Sequence, residues 1–157
     1  MKLGHTPSQT VGPYYSIGLC RRSEAELVRD GIRLGGRLFD GKDAPIGDGM
    51  IEIWDAGAGR WGRSGTDEEG RFAFLVAKPE GARGAPHLDV FVFARGLLRH
   101  QLPRVYFPDE SEANAADPVL AGLDADRRAT LVALPDAGGL RFDIHMQGSM
   151  ATVFFAH

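Results

Sequence analysis

Short runs of alternating apolar and polar residues, cut off every few positions by glycine-bearing turns, constrain this chain more than any other feature. Met50-Ile51-Glu52-Ile53-Trp54-Asp55 sets Ile51 and Ile53 on one face and Glu52 and Trp54 on the other, the period of two that a half-buried strand requires. Arg71 to Ala77 repeats the pattern with Phe72, Phe74 and Val76. Ile32 to Phe39, Leu102 to Phe107 and Thr152 to Phe155 also read as strands. Leu140, Phe142, Ile144 and Met146 alternate against Arg141, Asp143, His145 and Gln147. His87 to Ala94 is apolar at Leu88, Val90, Val92 and Ala94, and at Phe91 and Phe93 on its other face, so a central strand covered on both sides is expected. Gly35-Gly36, Asp40-Gly41, Gly47-Asp48-Gly49, Glu69-Gly70 and Gly138-Gly139 supply the punctuation. Thr66 to Gly70 is expected to be a turn whose acids bond their own backbone.

About eight short strands at regular spacing predict an all-β fold of sandwich type. Only two stretches read helical. Pro108 to Ala116, with Asp109 and Glu110 in its first turn, is extended or restarted by Asp117-Pro118-Val119-Leu120, and Ser23 to Val28 is a short second one. The expected division is an N-terminal arm and linker over residues 1–30 and a β-sandwich domain over residues 31–157.

Composition excludes several classes. A net charge of -3 with no basic stripe argues against a nucleic-acid partner. Cys20 is the only cysteine, which rules out an internal disulfide and a cysteine-based metal cluster. The apolar runs are too short to span a bilayer, and Met1 to His5 lacks the apolar core of a signal peptide. No membrane association and a cytoplasmic location are the expectation.

Thr6-Pro7-Ser8-Gln9-Thr10-Val11-Gly12-Pro13-Tyr14-Tyr15 cannot make a stable helix, because proline removes a donor and holds its predecessor extended. Gly12 permits a close backbone approach, and the paired tyrosines offer stiff contact surface. Composition leaves a frayed terminus and a docked strip both open.

The histidines give no His-x-His or His-Glu-x-x-His pair. His87 and Asp89, two apart on a strand, share a side. They read as a metal-binding or acid–base pair, or as a paired polar face at a subunit contact. There is no Gly-x-Ser-x-Gly elbow and no phosphate loop. Arg104 stands in an otherwise uncharged strand, either as a solvated edge residue or as a carboxylate clamp.

Seven fragments in order carry a resemblance: the Thr6 to Tyr14 arm, Ile51-Glu52-Ile53-Trp54-Asp55-Ala56, Ala85-Pro86-His87-Leu88, Phe93-Ala94-Arg95-Gly96, Arg104-Val105-Tyr106-Phe107-Pro108-Asp109-Glu110, Arg141-Phe142-Asp143-Ile144 and Thr152-Val153-Phe154-Phe155. Together they resemble the alpha subunits of protocatechuate 3,4-dioxygenase, in the intradiol ring-cleaving dioxygenase family. The resemblance implies a β-sandwich and an oxidoreductase of aromatic catabolism, which cleaves protocatechuate with O2 to 3-carboxy-cis,cis-muconate. It also implies a non-haem Fe(III) held by two tyrosines and two histidines, donors that suit a hard ferric ion.

This chain departs from that ligand set. Gly84-Ala85-Pro86-His87-Leu88-Asp89 stands where the family's catalytic beta chains carry Arg-Pro-Ala-His-x-His, with Arg83 one place off. Gly59-Arg60-Trp61 replaces Gly-Arg-Tyr, and no tyrosine lies between Lys78 and Pro86. The resemblance therefore implies degenerate metal-site positions at Trp61, His87 and Asp89, with no metal bound and the pair satisfied by hydrogen bonds within the chain. The iron is expected in a beta subunit, joined in alpha/beta pairs of a larger hetero-oligomer. Thr10, Gly12, Pro13, Tyr14 and Arg104 would then contribute to substrate binding in the partner's pocket, and no residue would be catalytic within this chain alone. The stretches between Asp55 and Gly70 and after Tyr15 are shorter than in the usual alpha subunit. The other class left open is a stand-alone transthyretin-like β-sandwich that binds without catalysis.

Overall fold

In the computed structural model the Ile32–Phe39 run is β1, with Leu34 and Leu38 buried and Arg33 and Arg37 turned outward. The structure describes residues 4–12, 14–81 and 84–156. β1 pairs antiparallel with β4 (Arg71–Val76) and parallel with β8 (Gly139–Arg141) and β9 (Ile144–His145). β7 (Leu134–Asp136) closes that sheet against β8. The second sheet runs β3-β2-β5-β6, from β3 (Arg60–Gly65), β2 (Met50–Asp55), β5 (His87–Phe93) and β6 (Arg104–Tyr106). Leu34, Leu38, Phe72, Phe74 and Val76 from the first sheet meet Ile51, Ile53, Leu88, Val90, Val92 and Val105 from the second in one core. This is the expected sandwich.

A second cluster, Ala85, Tyr106, Leu120, Leu131 and Val153, lies at the β6 end of the second sheet. Three short helices accompany it: α2 (Ser111–Ala116), α3 (Pro118–Ala121) and α4 (Ala125–Ala129). A further helix, α1 (Tyr15–Leu19), and a 3-10 turn over Arg22–Ala25 precede β1. Among the described residues no helix is long and apolar enough to cross a membrane.

Several expectations are corrected. β3 is not among the expected strands: its sequence Arg-Trp-Gly-Arg-Ser-Gly lacks apolar alternation, which an edge strand does not need. β7 carries Pro135 at an exposed sheet edge, where a missing N–H costs nothing. The Leu140 to Met146 alternation keeps its facing, with Phe142 and Ile144 buried, but breaks into two strands. There Asp143 Oδ1 accepts the Arg37 N–H at 3.0 Å in place of a carbonyl. Thr152 to Phe155 is no strand; the Thr152 N–H donates to the His145 carbonyl and Phe155 N–H to that of Leu102. The Leu102 to Phe107 strand shrinks to three residues.

β5 is central, as expected, but fully covered on one face only. Phe91 and Phe93 are half-buried on the other, each about 5.4 Å from the His100 ring. The Ser23 to Val28 helix is a 3-10 turn instead, and α1 and α4 were not anticipated. The Thr66 to Gly70 turn forms as expected, with Asp67 Oδ1 accepting from the Glu69 and Arg71 N–H groups.

Gly35-Gly36 lies inside β1 rather than in a turn. Gly36 is where the chain crosses closest, since a Cβ there would collide with the Phe142 carbonyl. At Gly35 a Cβ would meet only the Phe72 carbonyl, at 3.5 Å. Gly36→Ala should destabilise by about 1–3 kcal/mol and lower Tm by several degrees, whereas Gly35→Ala should leave Tm unchanged or slightly raised. Thermal unfolding of the pair checks this contrast, and equal effects would refute the crowding at Gly36.

Candidate functional site

Cross-strand pairing on the second sheet puts four residues in one row. Trp54 of β2 pairs with Trp61 of β3 on one side and Asp89 of β5 on the other, and Asp89 pairs with Arg104 of β6. Paired residues point to the same face, and this is the face away from the core. His87, two positions before Asp89, shares that face and pairs with Tyr106. Trp61, His87 and Asp89, the expected degenerate metal-site positions, and Arg104 are thus brought onto one surface by backbone register.

Arg104 Nε donates to Asp89 Oδ1 at 3.1 Å, and its guanidinium lies 5.2 Å over the Phe155 ring. Burial pulls the Arg104 pKa down, but the bond to Tyr106 and the Asp89 charge outweigh it and hold the guanidinium above its ordinary value. Tyr106 is fully buried, and burial raises its phenol while Arg104 opposes and Asp117 adds to the shift. His87 Nδ1 sits 2.8 Å from the Ala85 carbonyl; a carbonyl only accepts, so Nδ1 carries the proton. His87 Nε2 faces Asp89 Oδ1 at 4.0 Å, too long for a hydrogen bond.

Behind this row stands a residue that sequence reading did not single out. Asp117 is buried. Its Oδ1 accepts the Val119 and Leu120 N–H groups at 2.9 and 3.1 Å, and its Oδ2 accepts the Ala85 N–H at 3.0 Å. The Tyr106 hydroxyl lies 3.5 Å from Oδ1. One carboxylate therefore caps α3, ties down the turn before β5 and meets Tyr106. Its signal was the Asp-Pro pair opening an apolar run, an N-cap followed by proline at the first helical position.

A ferric ion does not fit these donors. Trp61 offers no oxygen, and it is 42% exposed beside the Arg63 guanidinium, 4.7 Å from its ring. The Asp89 carboxylate is already held by a cation that would repel a metal. Among the described residues no group of three or more His, Cys, Asp or Glu is placed to hold a metal.

The arm sits elsewhere. Thr10 Oγ1 accepts the Gly96 N–H at 3.0 Å, beyond the C-terminal end of β5, whereas Arg104 faces Asp89 near the start of that strand. Within one chain the structure does not join Thr10 to Arg104. Around Gly12 nothing among the described residues lies within 4 Å of where a Cβ would stand, so no approach by them requires glycine there. Tyr14 is 78% exposed, and Pro13 lies outside the described residues, as does Arg83.

The two tyrosines part company. Tyr15 is buried, and its hydroxyl is 2.5 Å from the Asp48 carbonyl and 3.1 Å from that of Phe93. The arm is held to the body at two points, the Thr10 hydroxyl on Gly96 and the Tyr15 hydroxyl on Asp48 and Phe93, while Gly12 and Tyr14 are exposed between them.

Burial, reinforced by the Asp48 charge, raises the Tyr15 phenol to about 12, against roughly 10 for a free tyrosine. Between those values the unfolded chain has lost a proton that the folded chain keeps, so stability falls as pH rises through that window and is untouched below it. Tyr15→Phe should cost about 1 kcal/mol at neutral pH and flatten the alkaline limb of a stability–pH curve. A limb as steep as the wild type's would show that Tyr15 is not its source.

No family model matches the chain. It is 41% identical to the protocatechuate 3,4-dioxygenase alpha chain of Burkholderia cepacia over 192 aligned positions, covering 98% of each chain. To the alpha chain of Pseudomonas putida it is 34% identical, covering 98% of this chain and 96% of the other. Similarity extends to a protocatechuate 3,4-dioxygenase beta chain of B. cepacia, 27% identical over 81% of this chain and 68% of that one. Among solved structures, the dioxygenase domain of a dioxygenase carbohydrate-binding protein fusion from Streptomyces sp. SirexAA-E has the same fold, with a TM-score of 0.60 at 20% identity over 92% of this chain and all of that one. The alignment with the B. cepacia alpha chain is longer than the 157 residues present here, so that relative carries internal residues this chain lacks.

Proposed function

Because the chain belongs to the family of protocatechuate 3,4-dioxygenase alpha chains, we propose that it is the iron-free half of an intradiol dioxygenase. With a beta chain it cleaves 3,4-dihydroxybenzoate with O2 to 3-carboxy-cis,cis-muconate, as part of a cytoplasmic hetero-oligomer of alpha/beta pairs. The Fe(III) belongs to the beta chain in this reading. The observation that carries it is the Asp89–Arg104 pair at 3.1 Å, a cation on the carboxylate where the family's catalytic chains set a second histidine.

The chain's own contribution is to bind and orient. Residues 1–30 act as an arm on the 31–157 body, laying Thr10, Gly12, Pro13 and Tyr14 over the partner's pocket. The exposure of Gly12 and Tyr14, between the Thr10 and Tyr15 anchors, supports that use. Arg104 meets the substrate carboxylate. Its side chain is 31% exposed, and its fork keeps N–H donors beyond those engaged by Asp89 and Tyr106. Asp89 fixes the angle of the fork and tempers its charge.

Two experiments test the reading. Co-expression with a beta chain should give a stable, iron-containing complex that consumes O2 with protocatechuate; a chain that purifies alone and indifferent to beta would sink it. In that complex Arg104→Ala should raise KM for protocatechuate by roughly ten- to a hundredfold, the loss of one charged hydrogen bond. KM for catechol, which lacks the carboxylate, should hold. Equal losses on both substrates would make Arg104 structural.

A further inference from the structure

The outward face of the first sheet gathers arginines that the sequence scatters. Arg33, Gly35 and Arg37 alternate outward along β1. Arg37 pairs with Arg71 across β4, and Gly35 pairs with Ala73 on that side and with Arg141 of β8 on the other. Four guanidinium side chains thus rise around a floor of Gly35 and Ala73, in a groove of about 880 Å³. Arginines outnumber aspartates two to one among its lining residues, on a chain of net charge -3.

Stability does not explain the arrangement. Like charges directly opposite on neighbouring strands are destabilising, and Arg37 faces Arg71. Arg71 is shared by Asp67 and Glu69, at 2.9 and 2.7 Å, and Arg141 has Asp143 at 3.5 Å. Among the described residues neither the Arg33 nor the Arg37 guanidinium forms an ion pair with a carboxylate, and Asp143 meets only the backbone N–H of Arg37. Gly35 is equally unexplained by the fold: its φ is not in the left-handed region, and a Cβ there would meet nothing among the described residues closer than 3.5 Å. A side chain would simply fill the floor.

We propose that this groove binds a small multivalent oxyanion, a polycarboxylate or a phosphate, seated on Gly35 and Ala73 and held by Arg33, Arg37, Arg71 and Arg141. Its volume falls within the range of small-molecule sites. An extended acidic peptide is disfavoured, because β1 is already paired by β4 and β8 and offers no free backbone to an added strand. The groove lies on the sheet that does not carry Arg104, and it stands whether or not the chain pairs with a beta chain.

Isothermal titration calorimetry of the full chain, with citrate as probe at constant ionic strength, tests the site; inorganic phosphate in parallel distinguishes the two anion classes. Saturable binding is expected, weakened about tenfold or more by Arg33→Ala with Arg37→Ala. Gly35→Val should weaken it similarly with every arginine in place. Without anion, Arg37→Ala should melt at the wild-type temperature or above it, because the opposed charges are relieved. Citrate or phosphate acting equally on wild type and variants would reduce the effect to screening and overturn the site. So would wild type that binds neither anion while the double variant loses its beta chain, which would make the groove a protein interface.

Discussion

The placement of β5 between β2 and β6 is the constraint on which the rest of the structure rests. Leu88, Val90 and Val92 enter the core from this strand, each worth on the order of 1.5–3 kcal/mol when buried. A slip of one residue would turn all three to solvent, so the register is held by several kcal/mol of packing. His87, Asp89, Phe91 and Phe93 take the opposite face as a consequence, and Asp89 meets Arg104 because β6 pairs there. A partly exposed ion pair contributes only about 0–1 kcal/mol. The ion pair follows the fold and does not direct it.

Asp117 joins the helical segment to this frame. Its carboxylate accepts N–H groups from the start of α3 and from the turn before β5, two segments more than thirty residues apart. Gly84 precedes that turn with a φ of +104°, and a Cβ there would crowd Asp117 Oδ2 at 2.6 Å. Ala85 in turn holds the His87 ring through its carbonyl. His87 is thus held by a backbone carbonyl and Asp89 by Arg104. Asp117 is the buried member of this set, and its carboxylate would be costly to leave without its N–H partners.

Legibility followed the strength of local signals. β1 and β2 were readable to their end residues, and β4 and β5 to within one, because each sets apolar residues on the core face at a period of two and is bounded by turn residues. β3 and β7 were invisible, since edge strands need neither alternation nor apolar side chains. The break between β8 and β9 came from Asp143 bonding a backbone N–H, a long-range choice with no local mark. At the site, spacing alone put His87 and Asp89 on one side. That Arg104 would hold Asp89, and that Trp61 would share their row through Trp54, required the register of four strands. The arginines looked scattered for the same reason: Arg33, Arg37, Arg71 and Arg141 come from three strands.

The sequence by itself determined the β-sandwich, its principal core strands and the family, since these depend on residue identity and on a period of two. Tertiary structure alone decided which side chains face one another across strands. It set a cation on Asp89, buried Tyr15 while leaving Tyr14 in solvent, and opposed Arg37 to Arg71. The physical reason is that strand pairing is non-local: alternation says which face a residue takes, and only the assembled sheet says what stands beside it.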